Sequence, residues 1–208
     1  MRFFTSIFAK TFLFSLLLPM TFFLKKWYNF YRIGIVGRGK KMQIEKGAHV
    51  IYASNGLCCV EECKRMRFSE VEREYWILIP LSSKGSTIYV PTDKPELLCK
   101  IRNVLTEEEL QSLILRLPRE EPMWEEDPAL RKDRFRSILE QGCPLEVMKL
   151  VRSLCQQQSQ REAQGKKLWA FEEHALETAR NSLCEEIAYV RKLSAEQAKE
   201  FVATHIQG

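Results

Sequence analysis

The sequence predicts an α+β fold, a small antiparallel β-barrel followed by an all-α helical bundle. Three observations predict it. Residues 42–105 carry five short runs rich in β-branched and aromatic residues, separated by turn signals. From Thr106 onward, apolar residues recur at helical spacing, with caps and stops between segments. Residues 1–41 differ so sharply in composition from the rest that they stand apart as a leader.

That leader holds eight basic side chains (Arg2, Lys10, Lys25, Lys26, Arg32, Arg38, Lys40, Lys41), no acid, and eight of the twelve Phe. Phe12 to Leu24 is apolar apart from Ser15 and Thr21, and Lys25 and Lys26 follow it. As a helix this run reaches only about 20 Å, short of the ~30 Å hydrocarbon core of a membrane. Extending it back to Phe3 puts Lys10 inside the span, and no small-x-small cleavage site follows. Met42 opens a domain of ordinary composition at once, and Gly37-Arg38-Gly39-Lys40-Lys41 can be encoded by a purine-only run resembling a ribosome-binding site. The expectation is that residues 1–41 are not part of the native folded protein; a membrane tether is the alternative. The whole chain carries +5, but beyond residue 41 there are 24 basic against 27 acidic groups, a net of −3. Any contact with nucleic acid must therefore rest on local placement of cations.

The strands are expected at residues 48–53, 57–64, 73–81, 87–91 and 100–104. Asn55-Gly56 supplies the first hairpin turn, because both residues tolerate positive φ, and Gly85 lies in a later turn at 82–86. The barrel core is assigned to Val50, Tyr52, Val60, Tyr75, Ile77, Ile79, Ile88 and Val90. Thr106 and Glu109 form a capping box for a helix with Leu110, Leu113, Ile114 and Leu117 on one face, stopped by Pro118. This gives a barrel domain with its closing helix at 42–118. Residues 119–127 are a charged linker around Trp124, and 128–208 are the helical domain.

In that second domain Pro128 opens a helix carrying Leu130, Arg134, Phe135, Ile138 and Leu139, and Gly142 ends it. Val147, Leu150, Val151 and Leu154 mark the next helix, whose polar tail at 156–164 is expected to fray before Gly165. The longest helix, 171–193, buries Leu176, Ala179, Leu183, Ile187 and Val190. Ser194 and Gln197 cap a closing helix with Ala198, Phe201 and Val202 inside.

Catalysis has no support. There is no phosphate-cradling glycine loop, zinc-protease motif or nucleophile elbow. His49, His174 and His205 are scattered, and Cys184 lies ten residues from His174 on one helix, about 15 Å along its axis. Seven cysteines (58, 59, 63, 99, 143, 155 and 184) show no repeated spacing, so most are expected to be reduced thiols filling a core, as in a reducing cytosol. Cys59 and Cys63 lack the matching second pair that a zinc site needs. No metal or other cofactor is implied, and the chain is expected to be a binding module rather than an enzyme.

Lys46-Gly47-Ala48-His49-Val50-Ile51-Tyr52-Ala53-Ser54-Asn55-Gly56 resembles the opening signature of the CarD/CdnL family, shared with the polymerase-interaction domain of transcription-repair coupling factor. Glu74-Tyr75-Trp76-Ile77-Leu78, Tyr89-Val90-Pro91-Thr92 and Ile101-Arg102-Asn103-Val104 follow in the family's order. The helical half is similar through Arg134-Phe135 with Ile138-Leu139, Val151-Arg152-Ser153-Leu154, and Ala179-Arg180 with Leu183 and Glu186. The likeness covers residues 43–206. It departs at Ala53-Ser54-Asn55, where the family has Pro-x-His, and at Glu173-His174, where the family has a basic pair.

The resemblance implies a bacterial, cytoplasmic, monomeric transcription regulator without cofactor or small-molecule substrate. A Tudor/SH3-like barrel would bind the β subunit of RNA polymerase. The helical domain would grip promoter DNA weakly and stabilise the open complex, with a tryptophan as a wedge. On this sequence the polymerase contacts would fall on Arg65, Arg67, Thr87, Tyr89, Val90 and Pro91, with Lys84 nearby. DNA contacts would fall on Arg131, Lys132, Arg134, Arg136, Lys166 and Lys167, with Trp124 or Trp169 as the wedge. The alternative is a protein–protein adaptor of the same shape without DNA contact.

Overall fold

Five β-strands form where the sequence predicts them: β1 (His49–Tyr52), β2 (Leu57–Phe68), β3 (Val71–Pro80), β4 (Ile88–Pro91) and β5 (Ile101–Asn103). The structure is a computed structural model that describes residues 44–68, 71–82 and 85–207. The expectations for the leader and for Lys84 lie outside the described residues. The strands make one antiparallel sheet ordered β4-β3-β2-β1-β5. Val90 on one outer strand and Ile101 on the other share a single apolar cluster with Val50, Tyr52, Cys58, Val60 and Leu78. Side chains from both edges meet only if the sheet rolls up, and a register shift between Val60 and Glu62 adds local twist. The helical turn α1 (Pro95–Leu98) contributes Leu97 and Leu98 to this interior.

Three details differ from expectation. On β3 the interior takes Trp76 and Leu78, not Tyr75 and Ile79, and Ile77 is buried outside that cluster. The run Trp76-Ile77-Leu78-Ile79 is apolar in both phases, so alternation could not choose a face. The first turn is wider than an Asn-Gly hairpin. Ala53–Asn55 makes a 3₁₀ turn, and Ala53 (φ 45°), not Asn55, takes the left-handed backbone along with Gly56 (φ 71°). The Ala53 amide donates to the carbonyl of Lys100 at 3.1 Å, which draws this turn toward β5. All seven cysteines are free, but only Cys58 is fully buried, and burial pushes its thiol pKa up to about 12.

The helices are α2 (Glu107–Arg116), α3 (Pro128–Gln141), α4 (Pro144–Glu162), α5 (Ala170–Arg191) and α6 (Ala195–Val202). The Thr106–Glu109 capping box is present in both directions, at 3.2 and 2.9 Å. The Asp127 carboxylate accepts the amides of Ala129 and Leu130 at the start of α3. Leu110 and Leu117 join a second apolar cluster with Phe135, Met148, Leu150, Leu154, Leu183 and Ile187. The expected closing helix of the barrel therefore buries its stripe among the helices. The connector is tied down as well, since the Met123 amide donates to Ser153 Oγ at 2.9 Å. The polar tail of α4 does not fray: Gln158 reaches Glu162 at 2.9 Å one turn on, and the helix continues to Glu162. Among the described residues, no helix is long and apolar enough to cross a membrane.

Barrel and helices belong to one compact unit, Gln43–Gly208. Arg102 on β5 holds Glu186 on α5 with two bonds of 2.6 and 2.7 Å, and Glu186 also accepts the Leu105 amide at 3.0 Å. Arg102 Nε donates to the carbonyl of Gly142 at 2.9 Å. Gly142 ends α3 at φ 63°, and a side chain there would press to 3.2 Å from Ala53 Cα, so the helix end and the first barrel turn touch through glycine.

Candidate functional site

Strand β4 is an edge of the sheet. Its ladder to β3 pairs Trp76 with Val90 and Tyr75 with Pro91, and the Thr92 amide adds a bond to the Glu74 carbonyl at 2.9 Å. Antiparallel bonding alternates, so Thr92, Val90 and Ile88 turn their main-chain groups toward β3, whereas Tyr89 and Pro91 turn theirs outward. Pro91, with no amide, suits that outward position. Beside this edge Phe68, at the turn end of the β2–β3 hairpin and paired there with the exposed Val71, lies near the exposed Tyr89. Phe68 meets Tyr75 and Tyr89 edge-on, with ring centroids 5.1 and 5.4 Å apart. The cations nearby are partly neutralised: Arg65 faces Glu74 at 3.8 Å and Arg73 faces Asp93 at 3.4 Å.

A second surface forms where the connector, α3, α4 and the start of α5 converge. Arg131 is only 3% exposed and its guanidinium lies between two indoles, 4.4 Å from the Trp124 ring centroid and 5.5 Å from that of Trp169. Trp124 is partly buried against the helical core, whereas Trp169 is 48% exposed. Arg161 approaches Trp169 at 5.7 Å, and Phe171 meets it edge-on at 5.9 Å. Beneath them Glu172, 0% exposed, accepts bonds from Arg131 Nε at 3.0 Å and Arg161 at 2.8 Å, and from the Trp169 amide at 2.9 Å. Lys166 and Lys167 are exposed in the loop leading to Trp169. An aromatic face backed by fixed cations, with exposed amines beside it, has the chemistry to take a nucleobase and its phosphate.

Two family models match the chain in succession: the CarD-like/TRCF RID domain over residues 44–105, and the CarD C-terminal domain over residues 116–203. The chain belongs to the CarD family. It is thus a transcription-related protein of the RNA polymerase-interacting kind, from a family of non-enzymatic regulators. No curated protein matches the chain.

Within this CarD-family chain the predicted residues fall unevenly. Thr87, Tyr89, Arg65 and Arg67 are exposed at or near the β4 edge, and Pro91 is partly so. Val90 is a correction: at 0% exposure its side chain belongs to the barrel interior, leaving it no surface to offer a partner. Arg131 is another, because a buried guanidinium bonded to Glu172 and to the carbonyls of Glu125 and Glu126 has no phosphate-facing side. Its position four residues before Phe135 and seven before Ile138 puts it on the buried stripe, a signal present in the sequence. Leu130, one position off that stripe, is exposed. Lys132, Arg134 and Arg136 are exposed on α3, Arg136 beside Asp133 at 3.6 Å. The structure brings Trp124 and Trp169 to one guanidinium, so they are parts of one assembly. Sequence reading missed Phe68 and Val71, which lie beyond the expected strand ends, Arg161, which tertiary packing brings to Trp169, and Glu172, whose place three residues after Trp169 in the first turn of α5 was a local signal. His174 is exposed, and burial pushes the Cys184 thiol upward, away from a thiolate nucleophile.

Proposed function

We propose that the protein binds the β subunit of RNA polymerase through the β4 edge and promoter DNA through the Trp169 end. It thereby stabilises the open complex, as a cytoplasmic monomer with no catalytic step, cofactor or small-molecule substrate. The observation that carries this reading is Trp169: a large ring left exposed, backed by Arg131 and Arg161, with Lys166 and Lys167 beside it. Trp169 is the ring that meets DNA, and Trp124 is the support beneath Arg131. Inserting a ring between bases costs a few kcal/mol of unstacking, so it is favoured where strands are already parting. Anchoring on polymerase raises the local concentration, so a chain whose body carries −3 needs few phosphate contacts.

On the polymerase side, the outward amide and carbonyl of Tyr89 suit an added strand of the β lobe, and Phe68 and Tyr89 give it an apolar flank. The full chain should retain the isolated β lobe in a pull-down. On the DNA side, affinity of the chain–polymerase complex for a promoter fork is measured across salt concentrations. Replacing Lys166 and Lys167 together by Gln should flatten the salt slope by roughly 1–2, since each phosphate contact contributes about 0.7–0.9. An unchanged slope favours the adaptor reading, which the acidic body and the exposed Glu173–His174 pair motivate.

A further inference from the structure

We infer that Glu172 is a positioning residue for the nucleic-acid face, acting through Arg131, Arg161 and the Trp169 backbone; this rests on the reading of Trp169 as the DNA contact. Glu172 sits in the first turn of α5 and is fully buried, yet its carboxylate faces no substrate-accessible space. Every bond it accepts goes to the assembly around Trp169. Oε1 takes Arg131 Nε at 3.0 Å and Arg161 at 3.5 Å, while Oε2 takes Arg161 at 2.8 Å and the Trp169 amide at 2.9 Å.

The two arginines extend that grip. Arg131 also donates to the carbonyls of Glu125 and Glu126, at 2.6 and 3.1 Å, which fixes the segment bearing Trp124. Arg161 reaches the carbonyl of Lys167 at 3.5 Å, which fixes the loop bearing the two lysines. One carboxylate thus joins the connector, α3, α4 and the loop before α5. A negative charge at a helix N-terminus is favourable in itself, but that role needs neither arginine. Both guanidinium groups also lie within 6 Å of the Trp169 ring centroid. Without the carboxylate, two cations crowd one buried site with no counter-charge, and they cannot both stay against the ring.

The test is a double-variant cycle in the full chain bound to polymerase, with Glu172→Gln and Trp169→Ala alone and combined. Trp169→Ala is expected to weaken promoter-fork affinity roughly 5- to 150-fold, the range for removing one stacked aromatic. Glu172→Gln should approach that loss, and the double variant should be no weaker than Trp169→Ala alone. A purely structural Glu172 would instead give losses that multiply. Losses that multiply, or Glu172→Gln binding the fork like the parent while Trp169→Ala weakens it, would overturn the inference. Arg161→Met, which removes one partner of the carboxylate at a less buried site, repeats the cycle if Glu172→Gln does not fold. Exchange of the Trp169 amide, followed by NMR on the free protein, separates the two readings. If Trp169→Ala leaves fork affinity intact, the DNA reading fails, while faster amide exchange in Glu172→Gln still upholds positioning and unchanged exchange overturns it.

Discussion

The two aromatic surfaces of this protein are built on opposite principles. At the barrel edge the rings meet each other: Phe68 packs edge-on against Tyr75 and Tyr89, and the neighbouring arginines face exposed acids, Glu74 on β3 and Asp93 just after β4. At the helical end the rings meet cations: Arg131 lies between Trp124 and Trp169, and the acid that balances it is hidden below. The first arrangement presents apolar area and the outward main chain of Tyr89 with little net field, which suits another strand. The second presents a ring with positive charge behind it, which complements a stacked base and its phosphate. Composition alone cannot separate the two, because both are arginine-rich and aromatic. The burial of the carboxylate makes the difference: Glu74 and Asp93 are exposed, whereas Glu172 is buried.

A similar contrast holds between the two buried arginine–glutamate pairs. Arg131–Glu172 lies within the helical half, whereas Arg102–Glu186 joins the halves. The largest expected effect comes from Glu186→Ala. It strands the Arg102 guanidinium and the Leu105 amide at once, and removing one partner of a buried pair costs roughly 3–5 kcal/mol. Arg102 keeps 19% exposure of its side chain, which places the loss toward the lower figure. Urea unfolding should show the reduced midpoint together with a shallower or split transition, as barrel and helices lose their coupling. A full-height single transition with an unchanged midpoint would show that the halves do not depend on this pair.

Next in size is Tyr89→Pro. It removes the amide that β4 directs outward while leaving the ladder amides of Ile88 and Val90 in place. Retention of the β lobe should fall at least tenfold, as about 1.4 kcal/mol suffices for that change. Tyr89→Phe, which keeps the main chain and the ring, should bind as the parent does. Equal binding by both variants would exclude strand addition at β4. Val90→Pro is not a usable substitute, since it would break the β3 ladder and the barrel interior with it.

The parts of this architecture that obey local rules were legible in the sequence. Thr106 and Glu109 predicted their capping box, Pro128 and Gly142 marked both ends of α3, and each strand was placed to within a few residues. What failed were positions where two signals competed. Arg131 carries a charge that argues for solvent and a spacing from Phe135 that argues for burial, and burial prevails because Glu172 lies across the bundle to receive it. The tail of α4 is polar enough to fray, yet Arg161 is held by Glu172 from a different helix. The Trp169 assembly was half legible: the ring and its lysines adjoin in sequence, but its carboxylate support depends on contacts spanning 11 and 41 residues.

The smallest effect tests the junction at finer grain, through two adjacent glutamates with different surroundings. Glu186 has Arg102. Glu185 has no cation at bonding distance among the described residues, and its Oε2 accepts the Leu57 amide at 3.4 Å, with Ser82 as a further hydrogen-bond partner. Burial raises the Glu185 pKa above the ordinary carboxylate value, and those two hydrogen bonds offset this only in part. A carboxyl whose folded pKa is raised favours folding while protonated. Its contribution is complete below the unfolded value of about 4.3 and is lost as pH climbs through the folded value. At neutral pH the charge on Glu185 therefore works against the junction. Glu185→Gln keeps the acceptor for Leu57 and removes that charge, so its Tm should lie slightly above the parent's at neutral pH. The gap should close as pH falls below the usual glutamate range. A gap independent of pH, or a variant less stable than the parent at neutral pH, would mean that the carboxylate contributes through its bonds rather than opposing through its charge. The two neighbouring glutamates would then differ in degree and not in sign.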